Sequence, residues 1–403
     1  MSQQQFDMVI VGGGMAGAAL ALACSELPIR IALLEAQSVR EGWPPLEESV
    51  LDYDGRVSAI TEASRQLLET LGVWSEIQSR RSCAYTDMDV WDGEGTGRIH
   101  FSASEVNREQ LGHIVENRLI TAALMNRLRE QGRVQCLFGQ PLVGLTEQGD
   151  GAVLSLEDGR QLRADLVVAA DGANSRIREW AGFATREWDY RHRAIVTTVE
   201  TTKPHHNTAW QRFLPEGPLA FLPLPDAANR RVYCSIVWSA QPDFAEQLMG
   251  LSEAEFNQAL ARHFEARLGS VVASGKRICF PLRQRHAVDY CRGRVVLVGD
   301  AAHTIHPLAG QGINLGFADV QALADELARV LAKGGSCFDA DMLGRYQRRR
   351  KGDNLAMMAA MEGFQNLFES SLMPLKIMRN VGMRALNTLT PVKRQLISKA
   401  MGL

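Results

Sequence analysis

Three stretches of the chain bring glycine and a carboxylate together where a polar, partly anionic ligand could be held. The first is Gly12-Gly13-Gly14-Met15-Ala16-Gly17, a G-x-G-x-x-G run, with Glu35 closing the next apolar segment. The second is Asp171-Gly172-Ala173-Asn174-Ser175-Arg176-Ile177-Arg178. The third is Gly299-Asp300-Ala301-Ala302-His303-Thr304-Ile305-His306-Pro307-Leu308-Ala309-Gly310-Gln311-Gly312-Ile313-Asn314-Leu315-Gly316. Glycine lets a backbone approach a phosphate, and free N–H groups at a helix start stabilise negative charge together with the helix dipole. A carboxylate at the same level can accept from a sugar hydroxyl. This is binding chemistry rather than that of a nucleophile and its base.

Each stretch needs a strand before it and a helix after it. Residues 6–11 read as a short apolar strand, 18–27 as a small-residue helix and 29–34 as a second strand ending in Glu35. That is the βαβ dinucleotide fingerprint, with Glu35 placed for a ribose 2′-hydroxyl. An acid there rather than an arginine points to an unphosphorylated ribose, hence FAD or NAD rather than NADP. The competing reading is a glycine turn that only packs a helix on a strand. Residues 164–170 and 294–298 are apolar, β-branched runs of buried-strand character, and 313–331 has helical spacing. Asp171 and Ser175 can cap the helix that follows them. Arg56 could contact a diphosphate or flavin edge, or be a solvated loop arginine. His303 and His306 lack further ligands nearby and read as structural residues, with no metal site.

The remaining organisation follows from texture. The chain has 403 residues, 46% hydrophobic and 22% charged, with a formal net charge of −2, which suits a soluble globular protein and gives no reason to expect nucleic acid. Seven scattered cysteines without a Cys-x-x-Cys pair suggest neither a disulfide framework nor zinc, and fit a cytoplasmic setting. No apolar run reaches the roughly 20 residues that a spanning helix needs. Residues 112–117 are expected to open a helix running to about 131, and Ser252 with Glu255 forms a capping box. Residues 188–285 alternate apolar and polar side chains as half-buried antiparallel strands do. Within them Trp210, Phe213, Phe221, Leu222 and Trp238 are either core or the wall of a hydrophobic pocket. The basic run 345–351 is most simply a solvated helix face. Residues 370–403 contain no Asp or Glu and interleave cations with apolar residues. Such a tail either lies on an anionic membrane or a partner, or packs as helices on the body.

In this order the three motifs resemble the single-component aromatic-ring hydroxylases of the p-hydroxybenzoate hydroxylase fold, and among them the ubiquinone-biosynthesis hydroxylases. Val57-Ser58-Ala59-Ile60, 112–117, 221–224, 299–316 and the terminal Ala400-Met401-Gly402-Leu403 carry the resemblance over nearly the whole length. It implies an α/β fold with a Rossmann-like, discontinuous FAD-binding domain (1–72, 107–180 and 286–350). It also implies an inserted β-sheet substrate domain (73–106 and 181–285) and a helical C-terminal segment (351–403). By resemblance, Gly12, Gly14 and Gly17 hold the diphosphate, Glu35 the adenosine ribose and Asp300 the ribityl chain. Arg56 lies near the flavin, and Asp171 serves FAD and reduced nicotinamide. Gly312 and Asn314 complete the cofactor site, and Pro307, Leu308, Gly310 and Gln311 form the loop facing the ring. The implied reaction is FAD-dependent hydroxylation of a polyprenylated phenol or quinol by molecular oxygen. It runs through a flavin C4a-hydroperoxide with NAD(P)H as donor, and C5 is favoured over C6 as the ring position. The alternatives are a flavin oxidoreductase acting on prenyl chains without oxygen insertion, or a flavin-containing scaffold for other ubiquinone-biosynthesis proteins. The implied location is cytoplasmic, peripheral at the inner membrane.

Overall fold

The computed structural model describes residues 3–47, 49–304, 312–369 and 372–403. Five strands run parallel in one sheet, in the order Val295–Leu297, Gln161–Ala169, Gln3–Val11, Ile31–Glu35 and Gln135–Phe138. These are the continuous apolar runs, and burial on both faces is the reason they lack alternation. Their register decides where the chemistry falls. Val11 pairs with both Leu34 and Ala169, and Ala169 pairs with Leu297. The glycine run, Glu35, Asp171 and Asp300 therefore leave the sheet from the same carboxyl edge, where open parallel sheets bind ligands. The Met15–Cys24 helix begins at this edge and packs on the Gly312–Leu331 helix.

A second, nine-stranded sheet draws its strands from Asp87–Asp92, Arg98–Ser102 and the segment between Thr185 and Ala287. The two-residue strand His303–Thr304 also joins it, through Ile278–Ala287. The third motif thus starts on one sheet and ends on the other. Trp238 and Phe221 are fully buried, Phe221 stacked on Phe264 and Trp238 edge-on to Phe244. Both belong to the core between this sheet and the helices Pro242–Gly250 and Glu253–His263, not to a cavity wall. The capping box of Ser252 and Glu255 forms as its sequence implies.

Two expectations are corrected. Residues Gly112–Glu116 are a strand, pairing antiparallel with both Val57–Ile60 and Ser82–Tyr85, and the helix begins only at Asn117. The basic run is not a solvated face throughout. Arg350 is buried, its Nε 2.7 Å from an Asp319 oxygen.

The tail packs on the body with its polarity inverted. Arg379 is buried against Asp92 at 2.7 Å, and Lys393 is buried against Glu105 at 2.8 Å. Met383, Ile397 and Met401 join small cores there. Met373, Ile377, Met378 and Val381 of the Met373–Thr388 helix are exposed instead, as are Leu389, Val392 and Leu396. No described helix is long and apolar enough to cross a membrane.

Candidate flavin site

The glycines of the first motif divide by what a side chain would meet. A Cβ on Gly17 would lie 2.0 Å from the Gly12 carbonyl oxygen, and one on Gly12, whose φ is +107°, would lie 2.3 Å from that of Ala170. These two glycines let helix, loop and neighbouring strand touch. Gly14 differs. Its backbone is one any residue adopts (φ −68°), and a Cβ there would meet no atom within 4 Å. It faces a cleft of about 730 Å³ lined also by Glu35, Gln37, Asp171, Gly172 and Arg176.

Glu35 ends its strand with both oxygens engaged, Oε2 accepting from Gly13 N at 2.7 Å and Oε1 from Gln37 N at 2.9 Å. A carboxylate carries about four lone-pair sites, so each oxygen can still accept from a sugar hydroxyl. Asp171 Oδ2 accepts from Arg176 N at 2.9 Å, and Ser175 Oγ from Arg178 N at 3.0 Å, which are the caps their positions imply. Asp171 Oδ1 is buried and has no partner among the described residues. Burial pushes this carboxyl above the usual range, only partly offset by the nearby Ser175 hydroxyl and the helix N–H groups. An open approach at Gly14 and an orphaned acceptor at Asp171, on the same cleft, fit a dinucleotide laid across the sheet edge.

Asp300 is exposed at the carboxyl edge of the sheet. Surrounding protein raises its carboxyl above the ordinary value, while His303 and Arg56 pull it back. Arg56 is therefore electrostatically coupled to Asp300, although far from it in sequence. Its loop is pinned from behind, since Asn117 N donates to the Arg56 carbonyl at 3.0 Å and Glu116 accepts from Asp54 N at 2.8 Å. Gly312 opens the long helix, and a Cβ there would meet nothing within 4 Å. The Asn314 side chain is committed to the protein, with Nδ2 donating to the Ala59 carbonyl at 2.8 Å and Oδ1 accepting from Thr61 N at 3.1 Å. It docks the helix on the Val57–Ile60 strand. Pro307, Leu308, Gly310 and Gln311, with His306, lie outside the described residues.

Two sets of residues escape the sequence reading. The buried Arg178 guanidinium donates to Ala173 O at 2.8 Å and to Ala301 O at 3.0 Å, and so ties the second motif to the third. Its place in the Asp-Gly-x-x-Ser-x-x-Arg spacing was the available signal. The other set, Asp319, Arg350 and Asn354, is buried and joined to His303, which the sequence reading takes as a structural residue. Only Asp319, an acid within an apolar helix stripe, hinted at it. Among the described residues no cluster of His, Cys, Asp and Glu could hold a metal ion.

A parallel sheet that gathers three glycine–carboxylate turns on one edge, backed by a large second sheet, defines a flavoprotein of the p-hydroxybenzoate hydroxylase fold. The crystal structure of p-nitrophenol 4-monooxygenase from Pseudomonas putida superposes with a TM-score of 0.78 at 21% identity, covering 100% of this chain and 99% of that one. Residues 5–360 match the FAD binding domain family, and the chain belongs to it. It is 39% identical over 405 residues to the 3-demethoxyubiquinol 3-hydroxylase of Escherichia coli, covering 100% of both chains. To a ubiquinone hydroxylase of Rhodospirillum rubrum it is 36% identical over 396 residues, covering 98% of this chain and 89% of the other. The chain is a flavin-dependent monooxygenase.

Proposed function

We propose that this enzyme hydroxylates the aromatic ring of a polyprenylated phenol or quinol in ubiquinone biosynthesis, with NAD(P)H as electron donor. The observation that carries the reading is the end-to-end match with a demethoxyubiquinol hydroxylase. The site geometry is compatible with it. In this reading FAD supplies the redox and oxygen-activating chemistry when bound. The chain's own residues do the placing. Gly12, Gly14 and Gly17 bring the Met15–Cys24 helix start against the diphosphate, and Glu35 accepts from the adenosine ribose. Asp171 offers its free oxygen on the same cleft. Asp300 would accept from the ribityl hydroxyls, with Arg56 electrostatically coupled to it, and the start of the Gly312–Leu331 helix would offer its positive end to negative charge on the ring.

Two ring positions compete. The terminal tetrapeptide and 112–117 favour C5, whereas the E. coli relative's name favours the demethoxyquinol step. Both substrates should be supplied to the FAD-loaded enzyme with a reductant under isotopically labelled oxygen gas. Label in one product assigns the position. Reductant consumption with label in neither refutes ring hydroxylation and leaves the prenyl-chain oxidoreductase. In the same reading the outward face of the Met373–Thr388 helix rests on the membrane that holds the substrate. Its apolar residues lie opposite the buried Arg379 and Met383, with the exposed Arg384 beside them. Binding to anionic vesicles should fall on Ile377→Asp with Val381→Asp, and unaltered binding would remove the membrane contact.

A further inference from the structure

The Gly312–Leu331 helix carries one carboxylate that faces the protein interior completely. Asp319 is fully buried, and four donors converge on it. Oδ2 lies 3.0 Å from Gly299 N and 2.6 Å from His303 Nε2. Oδ1 lies 2.7 Å from Arg350 Nε and 3.3 Å from Asn354 Nδ2. Burial alone would raise this carboxyl, but His303 and Arg350 outweigh it and hold it below the usual range. The outer ring is satisfied too. Asn354 Nδ2 lies 3.1 Å from the Tyr290 hydroxyl, which sits 3.1 Å from His286 Nε2. His303 Nδ1 is buried with no hydrogen-bond partner among the described residues, and its ring packs against that of Tyr290, 6.0 Å between centroids.

An ionic cluster of this kind is poor value as cement. Well-packed apolar residues of similar volume often stabilise as much, because desolvation consumes most of the Coulombic gain. Its placement is more informative. Gly299 directly precedes Asp300, and His303 belongs to the short strand that leads into 305–311. Asp319 itself stands two turns inside the helix that follows 305–311. One side chain thus grips the chain on both sides of 305–311. Packing at the same point is close, with Gly299 and Gly316 so near that a Cβ on Gly316 would lie 3.4 Å from the Gly299 Cα.

We propose that Asp319 is a positioning residue of the flavin site. Through Gly299 and His303 it sets the turn bearing Asp300 against the start of the Gly312–Leu331 helix, and so fixes FAD affinity and reduction potential. Arg350 keeps it ionised for that task. The proposal rests on FAD occupying the sheet edge and not on the identity of the substrate.

The test is Asp319→Asn in the full-length protein, which keeps an acceptor for Gly299 N–H and removes the charge. FAD dissociation is measured by titrating the apoprotein, and the two-electron potential by equilibration with reference dyes. FAD binding is expected to weaken on the order of tenfold, comparable to losing the support of a metal ligand, and the potential to shift. Tyr346→Phe is the control. It deletes a buried 2.8 Å hydrogen bond to Leu297 O in the same core, and should lower thermal stability without moving affinity or potential. If the Asn variant does not fold, His303→Gln is read in the same way, since it leaves the Asp319–Arg350 pair intact. Lower thermal stability with wild-type affinity and potential would overturn the proposal. A wild-type chain that takes up no FAD would refute the flavin site itself, a separate failure.

Discussion

Gly14→Ala separates glycine that serves the fold from glycine that serves the cofactor. In the protein alone the added methyl meets nothing within 4 Å, and the backbone (φ −68°, ψ −179°) suits alanine. The cost to the apoprotein is then the difference between glycine and alanine at a helix N-cap, about 1 kcal/mol or less. Gly17→Ala would force a Cβ to 2.0 Å from the Gly12 carbonyl oxygen, so the backbones must part. Overpacking of this kind costs about 1–3 kcal/mol or more. With FAD the order reverses. A methyl at Gly14 occupies the approach of the diphosphate to the helix start and removes at least one hydrogen bond to a charged group. Such a bond contributes about 1.5–3 kcal/mol, or roughly one to two powers of ten in dissociation constant. Urea unfolding of both apoproteins and FAD titration of both supply the comparison. A Gly14→Ala protein that binds FAD like wild type, or is destabilised as much as Gly17→Ala, would refute the division.

The other expectations are these. Asp300→Asn should weaken FAD binding while leaving the apoprotein's melting temperature near that of wild type, because the carboxylate is exposed; thermal melts with and without FAD show both effects. His113, His205 and His286 are each pushed down to about 4, chiefly by burial, so the stability they confer is complete above pH 6.5 and lost as pH falls toward 4. At pH 5 the loss is about 2 kcal/mol for each histidine. His205→Asn should remove one such share from the urea-unfolding difference between pH 7.5 and pH 5. In His205 the neutral tautomer is dictated by contacts, since Nδ1 accepts from Asn207 N at 3.0 Å and Nε2 faces Leu224 O at 3.1 Å. Arg379→Met leaves Asp92 buried without its cation, a loss of about 3–5 kcal/mol. It should release the tail to proteolysis after 372 while FAD binding persists, as gel analysis and titration would show.

What could be read from the chain and what could not divide along sequence separation. The glycine run, Glu35 and the caps at Asp171 and Ser175 are local arrangements, in which the residue that makes the bond lies within a few positions of the one that receives it, or at the end of the next strand. The parallel core was legible for the related reason that burial on both faces removes alternation altogether. Gly112–Glu116 was misread because both of its partners are distant in sequence, and nothing in its five residues distinguishes a central strand from a helix start. Arg350 was misread for the same reason. Its run of cations has the pattern of a solvated face, and the acid that buries it lies 31 residues earlier. The tail shows the limit most plainly. Composition marks it as basic and amphipathic, which leads one to expect charges outward and apolar residues inward. Asp92 and Glu105, far upstream, instead draw Arg379 and Lys393 into the body and turn Ile377, Met378 and Val381 outward. Which face of a helix is hidden depends on what it meets as well as on its period. Asn314 makes the same point inside the site, because its amide is spent on Ala59 and Thr61. What it does in the structure is anchor the first turn of the Gly312–Leu331 helix on the Val57–Ile60 strand and its end.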